Sequence, residues 1–354
     1  MNPTLELKKE IKPITGIKTD AISINYTQNG KRIHPHTILL FIPGNPGCIG
    51  WYAKPFLYNI IQKLGTGYAA HGISYAGHGV GDEFHVETPE EMHPFINNKQ
   101  RILHTIQGQV DHKIHWIDSL LHQYKNVNII FLTHSIGSYL VQTLCVQRHD
   151  ILSHTVKIIH LMPFYRFKPS NYIKEQLPLE IVAKLNIKSV QLLAFISYFL
   201  SYLPKNVIMH GIDTILNIKD IDDQEITWNI VKQPNFIRNF LSLGIHEILN
   251  VPKEFDVDAL NVIAKQCPTI ILYCDNDKWA PKDHVYDIMR LQHSNKVLNN
   301  SVYFEHMEDV QHDFVVYSKM VERVEVFVLG CVRGGYDDRF HYDLRDGGFI
   351  PSKL

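Results

Sequence analysis

Several things are scarce in this sequence, and each absence removes a class of protein. Cysteine is one: Cys48, Cys145, Cys267, Cys274 and Cys331 are odd in number, scattered, and never in a C-x-x-C spacing. That pattern excludes a disulfide framework and predicts a reducing compartment. No run of 18 or more apolar residues occurs, so no spanning helix is expected. The opening "MNPTLELKKEIKP" lacks the apolar core of a signal peptide. The expectation is an intracellular protein that is not integral to a bilayer. A surplus of one charge is missing too, with 35 lysines and arginines against 36 aspartates and glutamates and no long basic block. Nucleic acid is therefore not an expected partner, because phosphate binding needs clustered positive charge. Neither H-E-x-x-H nor G-x-G-x-x-G occurs, and the glycine-rich "AGHGVGD" has only the outward look of a nucleotide loop. The 21 histidines carry no metal signature, since pairs such as His34/His36 fall in loops without accompanying carboxylates. No metal and no cofactor is expected.

What is present is enough apolar material for one large core with an insertion, 45% of 354 residues. Residues 36–150 alternate apolar strands with helices, the mark of a mostly parallel sheet covered on both faces. "TILLFI" (37–42), "GYAAHGIS" (67–74), "VNIIFL" (127–132) and "VKIIHLM" (156–162) read as strands. Ile102, Leu103, Ile106, Val110, Ile114, Ile117 and Leu121 recur at helical spacing, and "SYLVQTLCVQ" (138–147) reads as a buried helix. Residues 163–260 hold helical stretches broken by prolines and no convincing strand. Strand character returns at "TIILYC" (269–274) and "SVYFEH" (301–306), with a helix from about Lys282 between them and a closing helix over 315–330. The expected fold class is α/β with a helical cap inserted at about 163–260 of a domain spanning 36–330. Residues 1–35 read as an N-terminal extension and 331–354 as an exposed tail.

Chemistry enters at "FLTHSIGSY". Ser135 follows a strand and precedes a helix, the context of a nucleophile elbow, although Thr133 stands where G-x-S-x-G has its first glycine. The plainer alternative is a serine capping a helix. An activated serine needs a base, and the base needs an orienting carboxylate. In an α/β-hydrolase these follow in the order nucleophile, acid, base, on loops after late strands. Asp277, in a D-x-W-x-P loop after "TIILYC", is preferred as the acid over Asp275 nearer the strand end. His312, in the loop after the last strand, is preferred as the base over His306. The "IPGNPG" turn (42–47) offers an oxyanion donor from Gly44, Asn45 or Gly47, because Pro46 has no N–H; Asn45 is chosen, with Ile136 as the second donor.

These residues carry a resemblance. "IPGNPG" (42–47), "SYAGHG" (74–79), "QVDHKI" (109–114), "HSIGSY" (134–139), the "HLMP" turn (160–163), D-x-W-x-P (277–281) and "HDF" (312–314) together make the sequence similar to the lipid droplet-associated hydrolase family. That resemblance implies an α/β-hydrolase fold, with Ser135 as nucleophile, Asp277 as acid and His312 as base. It implies hydrolysis of sterol esters or triacylglycerols, and it implies that the apolar 190–203 region helps hold the protein on droplet monolayers. The family's elbow begins with glycine, so Thr133 is a departure that bears on turnover more than on the fold.

The stretch "VQLLAFISYFLSYL" (190–203) carries no charge. As a helix it is roughly 21 Å long against a hydrocarbon core of roughly 30 Å. It reads either as a buried cap helix or as an element that meets a lipid phase. The sequence ends in Ser352-Lys353-Leu354, the tripeptide read by the peroxisomal import receptor. The leading expectation is a lipid-ester serine hydrolase at lipid droplets, peroxisomes or both. The alternatives are a weakly active or non-catalytic droplet-surface protein and a peroxisomal acyl-CoA thioesterase using the same triad.

Overall fold

Two long antiparallel strands precede the first strand legible in the sequence: β1 (Thr4–Ile14) and β2 (Ile17–Gln28). The computed structural model describes residues 2–80, 105–167, 187–200, 202–275 and 277–334, with Lys184 and the short pair Tyr342–Asp343 and Ile350–Pro351. Thr15 and Gly16, at φ 52° and 78°, form the β1–β2 turn; Asn29 and Gly30, at 53° and 74°, form the next, into β3 (Lys31–Arg32). Positive φ at both central residues is what a type I′ hairpin requires, and its twist matches that of the strands. Residues 4–32, read from sequence as an extension, thus carry strands of the main sheet.

The rest of the sheet is β4 (Thr37–Ile42), β5 (Tyr68–Ile73), β6 (Asn128–His134), β7 (Thr155–Leu161), β8 (Thr269–Cys274) and β9 (Val302–Met307). Its order is β1-β2-β5-β4-β6-β7-β8-β9, with β3 beside β2; every pair from β5 across to β9 is parallel, while β2 runs antiparallel to both β1 and β5. All six residues of β4 and of β8 are buried, as expected for strands covered on both faces. Side chains alternate between two cores. Ile38, Leu40 and Phe131 pack on one side with Val110, Trp116 and Leu140, while Leu39, Phe41 and Leu132 pack on the other with Phe56, Ile60 and Phe327.

Helical turns over residues 50–57 lead into α1 (Tyr58–Leu64), followed by α2 (Ile106–Gln123), α3 (Gly137–Gln147) and α4 (His149–His154). Between β7 and β8, the described residues hold five helices and no strand: α5 (Ile187–Leu200), α6 (Lys205–Ile215), α7 (Ile221–Val231), α8 (Pro234–Asn250) and α9 (Val257–Gln266). α5 through α8 form the cap. α10 (Lys282–Ser294) and α11 (Lys296–Ser301) lie between β8 and β9, and α12 (Ser318–Val332) follows β9. In α5, Val190, Ala194 and Ser197 are buried while Leu192, Phe195, Ile196 and Phe199 are exposed, so the helix is neither a core element nor free. The proposed tripeptide Ser352-Lys353-Leu354 lies outside the described residues.

The strand registers place the site. Ile42 of β4 pairs with Thr133 of β6, His134 with Leu161 of β7, Leu161 with Leu272 of β8, and Cys274 with Met307 of β9. The loops leaving these strands therefore emerge together at the carboxyl edge, where open α/β sheets hold their ligands.

Candidate active site

Ser135 sits between β6 and α3 with φ +52°, a left-handed conformation that costs a non-glycine residue energy and needs outside support. Support comes from three bonds of about equal length: its N–H donates to Leu161 O, and its carbonyl accepts from Ser138 N and Phe164 N, each at 3.0 Å. The turn is tight enough that a Cβ at Gly137 would stand 2.5 Å from the Ile42 carbonyl oxygen. One at Gly44 would stand 2.7 Å from Ser135 Cβ. Ser135 does not cap α3; Ile136 occupies that position and makes no side-chain cap bond. Thr133 is fully buried, and its hydroxyl bonds Ser138 Oγ at 2.8 Å and His160 Nδ1 at 2.6 Å. The branched residue at the head of the elbow is thus tied to α3 and to β7.

Asp277 Oδ2 accepts from His312 Nδ1 at 2.7 Å, and Oδ1 accepts from Trp279 N at 2.9 Å and Ala280 N at 2.7 Å. The D-x-W-x-P spacing is therefore a device for aiming one carboxylate: the following amides fix one oxygen and leave the other for the histidine. It does not cap α10, whose N-cap is Pro281. The rival residues pair with each other. Asp275 bonds Lys282 Nζ at 2.7 Å and lies 3.3 Å from His306 Nε2, away from the cavity described below. Together with Glu308 they bring ligand-type atoms within 4.8 Å of one another, but Lys282 already neutralises Asp275. His36 Nδ1 is engaged by Thr37 Oγ1 at 2.8 Å.

The 43–47 turn is braced from below by two of the motifs. Tyr75 OH donates to Pro43 O at 2.8 Å, Tyr75 N to Gly47 O at 2.9 Å, and His78 Nδ1 bonds Pro46 O at 2.5 Å. Gly47, at φ +76°, lies so close to Tyr75 that an added Cβ would meet the ring at 2.6 Å. Gln109 pairs with both backbone groups of Ala76, and the buried Lys113 donates to Ser74 O at 3.0 Å. "SYAGHG" and "QVDHKI" are thus scaffolding for the turn. Among the described residues, the backbone amides of Asn45 and Ile136 donate to no acceptor.

Ser135, His312, Asn45 and Ile136 all line one cavity of about 460 Å³, whose remaining wall is largely apolar and includes Trp51, Phe240, Ile248 and Val316. Neither Ser135 Oγ nor His312 Nε2 is committed to another hydrogen bond among the described residues. A histidine held at Nδ1 by a buried carboxylate, with Nε2 open to a hydroxyl, is an arrangement that can take that hydroxyl's proton.

Two lining residues were not legible in the sequence. His134 Nε2 bonds the His312 carbonyl oxygen at 2.8 Å; an acceptor there makes Nε2 the protonated nitrogen, so Nδ1 accepts from Tyr52 OH, also at 2.8 Å. Burial, reinforced by the neighbouring His312, holds the His134 pKa well below its ordinary value, which keeps this tie neutral. The other is Glu247 of α8, buried in the cavity wall and bonded by Asn45 Nδ2 at 3.2 Å.

A family model described as lipid-droplet associated hydrolase matches residues 35–315. The chain belongs to that family. It is therefore a hydrolase, on an α/β-hydrolase fold. Members of the lipid-droplet associated hydrolase family from Gallus gallus and Rattus norvegicus are each 24% identical to it, over 263 and 266 residues. These matches cover 73% and 72% of this chain and 74% of each relative. Among solved structures, an epoxide hydrolase from Vigna radiata superimposes with a TM-score of 0.57 at 17% identity, covering 93% of this chain and 99% of that one. At that identity the likeness concerns the fold alone. The family match ends just past His312 and takes in every cavity residue named above except Val316.

Proposed function

We propose that this family member is a serine hydrolase of lipid esters, with Ser135 as nucleophile, His312 as base and Asp277 as the carboxylate that orients the base. The observation that supports the reading is one cavity lined both by a serine with an uncommitted hydroxyl on a strained elbow and by a histidine already bonded to a buried aspartate. Ser135 Oγ attacks the acyl carbonyl carbon as His312 Nε2 takes its proton; the carbonyl oxygen becomes an oxyanion received by the amides of Asn45 and Ile136. Collapse expels the alcohol, which takes the proton back from His312. Water, deprotonated by the same imidazole, then attacks the acyl-enzyme and releases the acid. Asp277 stays ionised throughout and stabilises the imidazolium.

The substrate class follows from the wall and from the cap. An apolar cavity of this size suits an acyl chain better than a polar ester. Leu216 lines it and is half exposed, next to the exposed Ile215 and Ile221, and α5 adds Leu192, Phe195 and Phe199 to the outer apolar surface. Apolar side chains exposed on these cap segments suit contact with a lipid monolayer. No helix among the described residues is long and apolar enough to cross a membrane. The names of the relatives favour a droplet surface. The test is turnover on a chain-length series of p-nitrophenyl esters, emulsified triacylglycerol and sterol ester, with acyl-CoA thioesters alongside. The reading expects activity on oxygen esters that rises with acyl length and falls at least about a thousandfold in Ser135→Ala. Equal hydrolysis by wild type and Ser135→Ala would overturn it.

A further inference from the structure

A buried carboxyl in an apolar cavity is expensive unless something uses it. Glu247 is such a group. It lies on the inner face of α8, at helical spacing from Phe240, Leu241 and Gly244, which line the same cavity. Its Oε2 accepts from Asn45 Nδ2 at 3.2 Å, and the same Nδ2 donates to Phe240 O, also at 3.2 Å. The cap helix therefore grips the Asn45 side chain at two points two turns apart. Glu247 Oε1 has no protein partner among the described residues, and Asn45 Oδ1 is buried without one. Among the described residues no other hydrogen bond joins the cap to the 43–47 turn, whose other braces come from beneath, through Tyr75 and His78.

We propose that Glu247 is a positioning residue for ester cleavage: it reaches from the cap, fixes the side chain of Asn45, and thereby holds the amide that receives the oxyanion. The proposal rests on the ester-hydrolase reading above. Glu247 does this as a neutral acid. Burial pushes its carboxyl up to about 8, and the bond from Asn45 offsets only part of that. Among the described residues no lysine or arginine lines the cavity to hold it ionised. The titratable groups that share its cavity are Tyr52 from the turns after β4, His134 from the elbow, and His312 and Asp313 from the loop after β9, with Tyr75 interacting from below. On its own helix His246 is turned to the Ile106 amide, and His78 is held by Pro46 O. Once ionised, Glu247 would place a negative charge in the cavity where the oxyanion forms, so turnover falls as it loses its proton.

The experiment is the pH dependence of kcat and KM on a soluble short-chain p-nitrophenyl ester, from about pH 6 to about pH 9.5, for wild type, Glu247→Gln and Glu247→Ala. The wild-type kcat should decline as pH passes about 8. Glu247→Ala should lose about tenfold or more in kcat at neutral pH, with KM little changed. Glu247→Gln, a neutral acceptor of the same shape, should restore most of that loss and carry no alkaline decline. A Gln profile that superimposes on wild type, decline included, overturns the proposal, as does an Ala variant with full kcat. Thermal melting shows whether the Ala variant folds; if it does not, the Gln profile decides alone. If wild type hydrolyses no ester, the ester reading fails and this proposal with it. If wild type turns over and the variants match it, only the role of Glu247 fails.

Discussion

Thr133 stands where the G-x-S-x-G pattern has its first glycine, and its side chain explains how the turn accepts it. With no exposed surface, its hydroxyl bridges Ser138 at the start of α3 to His160 on the neighbouring β7. Burial takes the His160 pKa down to about 3, so the ring is a neutral partner for that hydroxyl. Thr133→Val keeps the shape and deletes the bridge, leaving His160 Nδ1 and Ser138 Oγ to find other partners. It should cost about 1–3 kcal/mol in urea unfolding, with the m-value unchanged. A variant as stable as wild type would mean that the bridge contributes nothing. At this scale the triad candidates were legible, because a hydroxyl, a carboxylate and an imidazole each stood just past a strand in a fixed order. Glu247 and His134 were not. A glutamate in a helical stretch looks like a solvated face, and a histidine before the serine looks like the end of a strand. Only the packing of the cap over the 43–47 turn, and of the loop after β9 over the elbow, gives either one a partner.

Among the elements, the parallel strands were readable as continuous apolar runs, and their edges came within a residue or two of the observed ones. β1 and β2 were missed for a physical reason. β1 is an edge strand, "TLELKKEIKPI", whose charges protect an exposed rim, so its apolar signal is weak. The Asn29-Gly30 pair was the available clue, a strong hairpin signal lying between β2 and β3. α5 answers a question the sequence left open. Val190, Ala194 and Ser197 recur on its buried side, whereas Leu192, Phe195 and Phe199 are 58%, 58% and 56% exposed. Replacing those three with glutamate should abolish most binding to phospholipid-coated triolein emulsions. It should shift unfolding little, because exposed substitutions are typically worth about 0.5 kcal/mol or less each. Flotation with the emulsion beside thermal melting checks both halves. Unchanged flotation by a folded triple variant would remove α5 from the lipid-facing surface.

Over the whole molecule, residues far apart in sequence meet because parallel strands all end at one edge. The turn after β4, the elbow after β6, the D-x-W-x-P loop after β8 and the loop after β9 surround a single cavity, and the cap closes it from above. The order of the strands sets which loops are neighbours, and the fixed contacts set their distances: Ser135 held to β7, Asp277 by its own following amides, His312 by Asp277 and His134. On the proposed reading this assembly makes Ser135 a nucleophile. A fluorophosphonate probe measures that directly, because it reacts with an activated serine and leaves an adduct that peptide mass spectrometry can place. Wild type should carry the adduct on Ser135, with Ser135→Ala unlabelled and His312→Ala labelled far more slowly. A folded wild type that stays unlabelled, or that carries the adduct on another residue, would contradict the account.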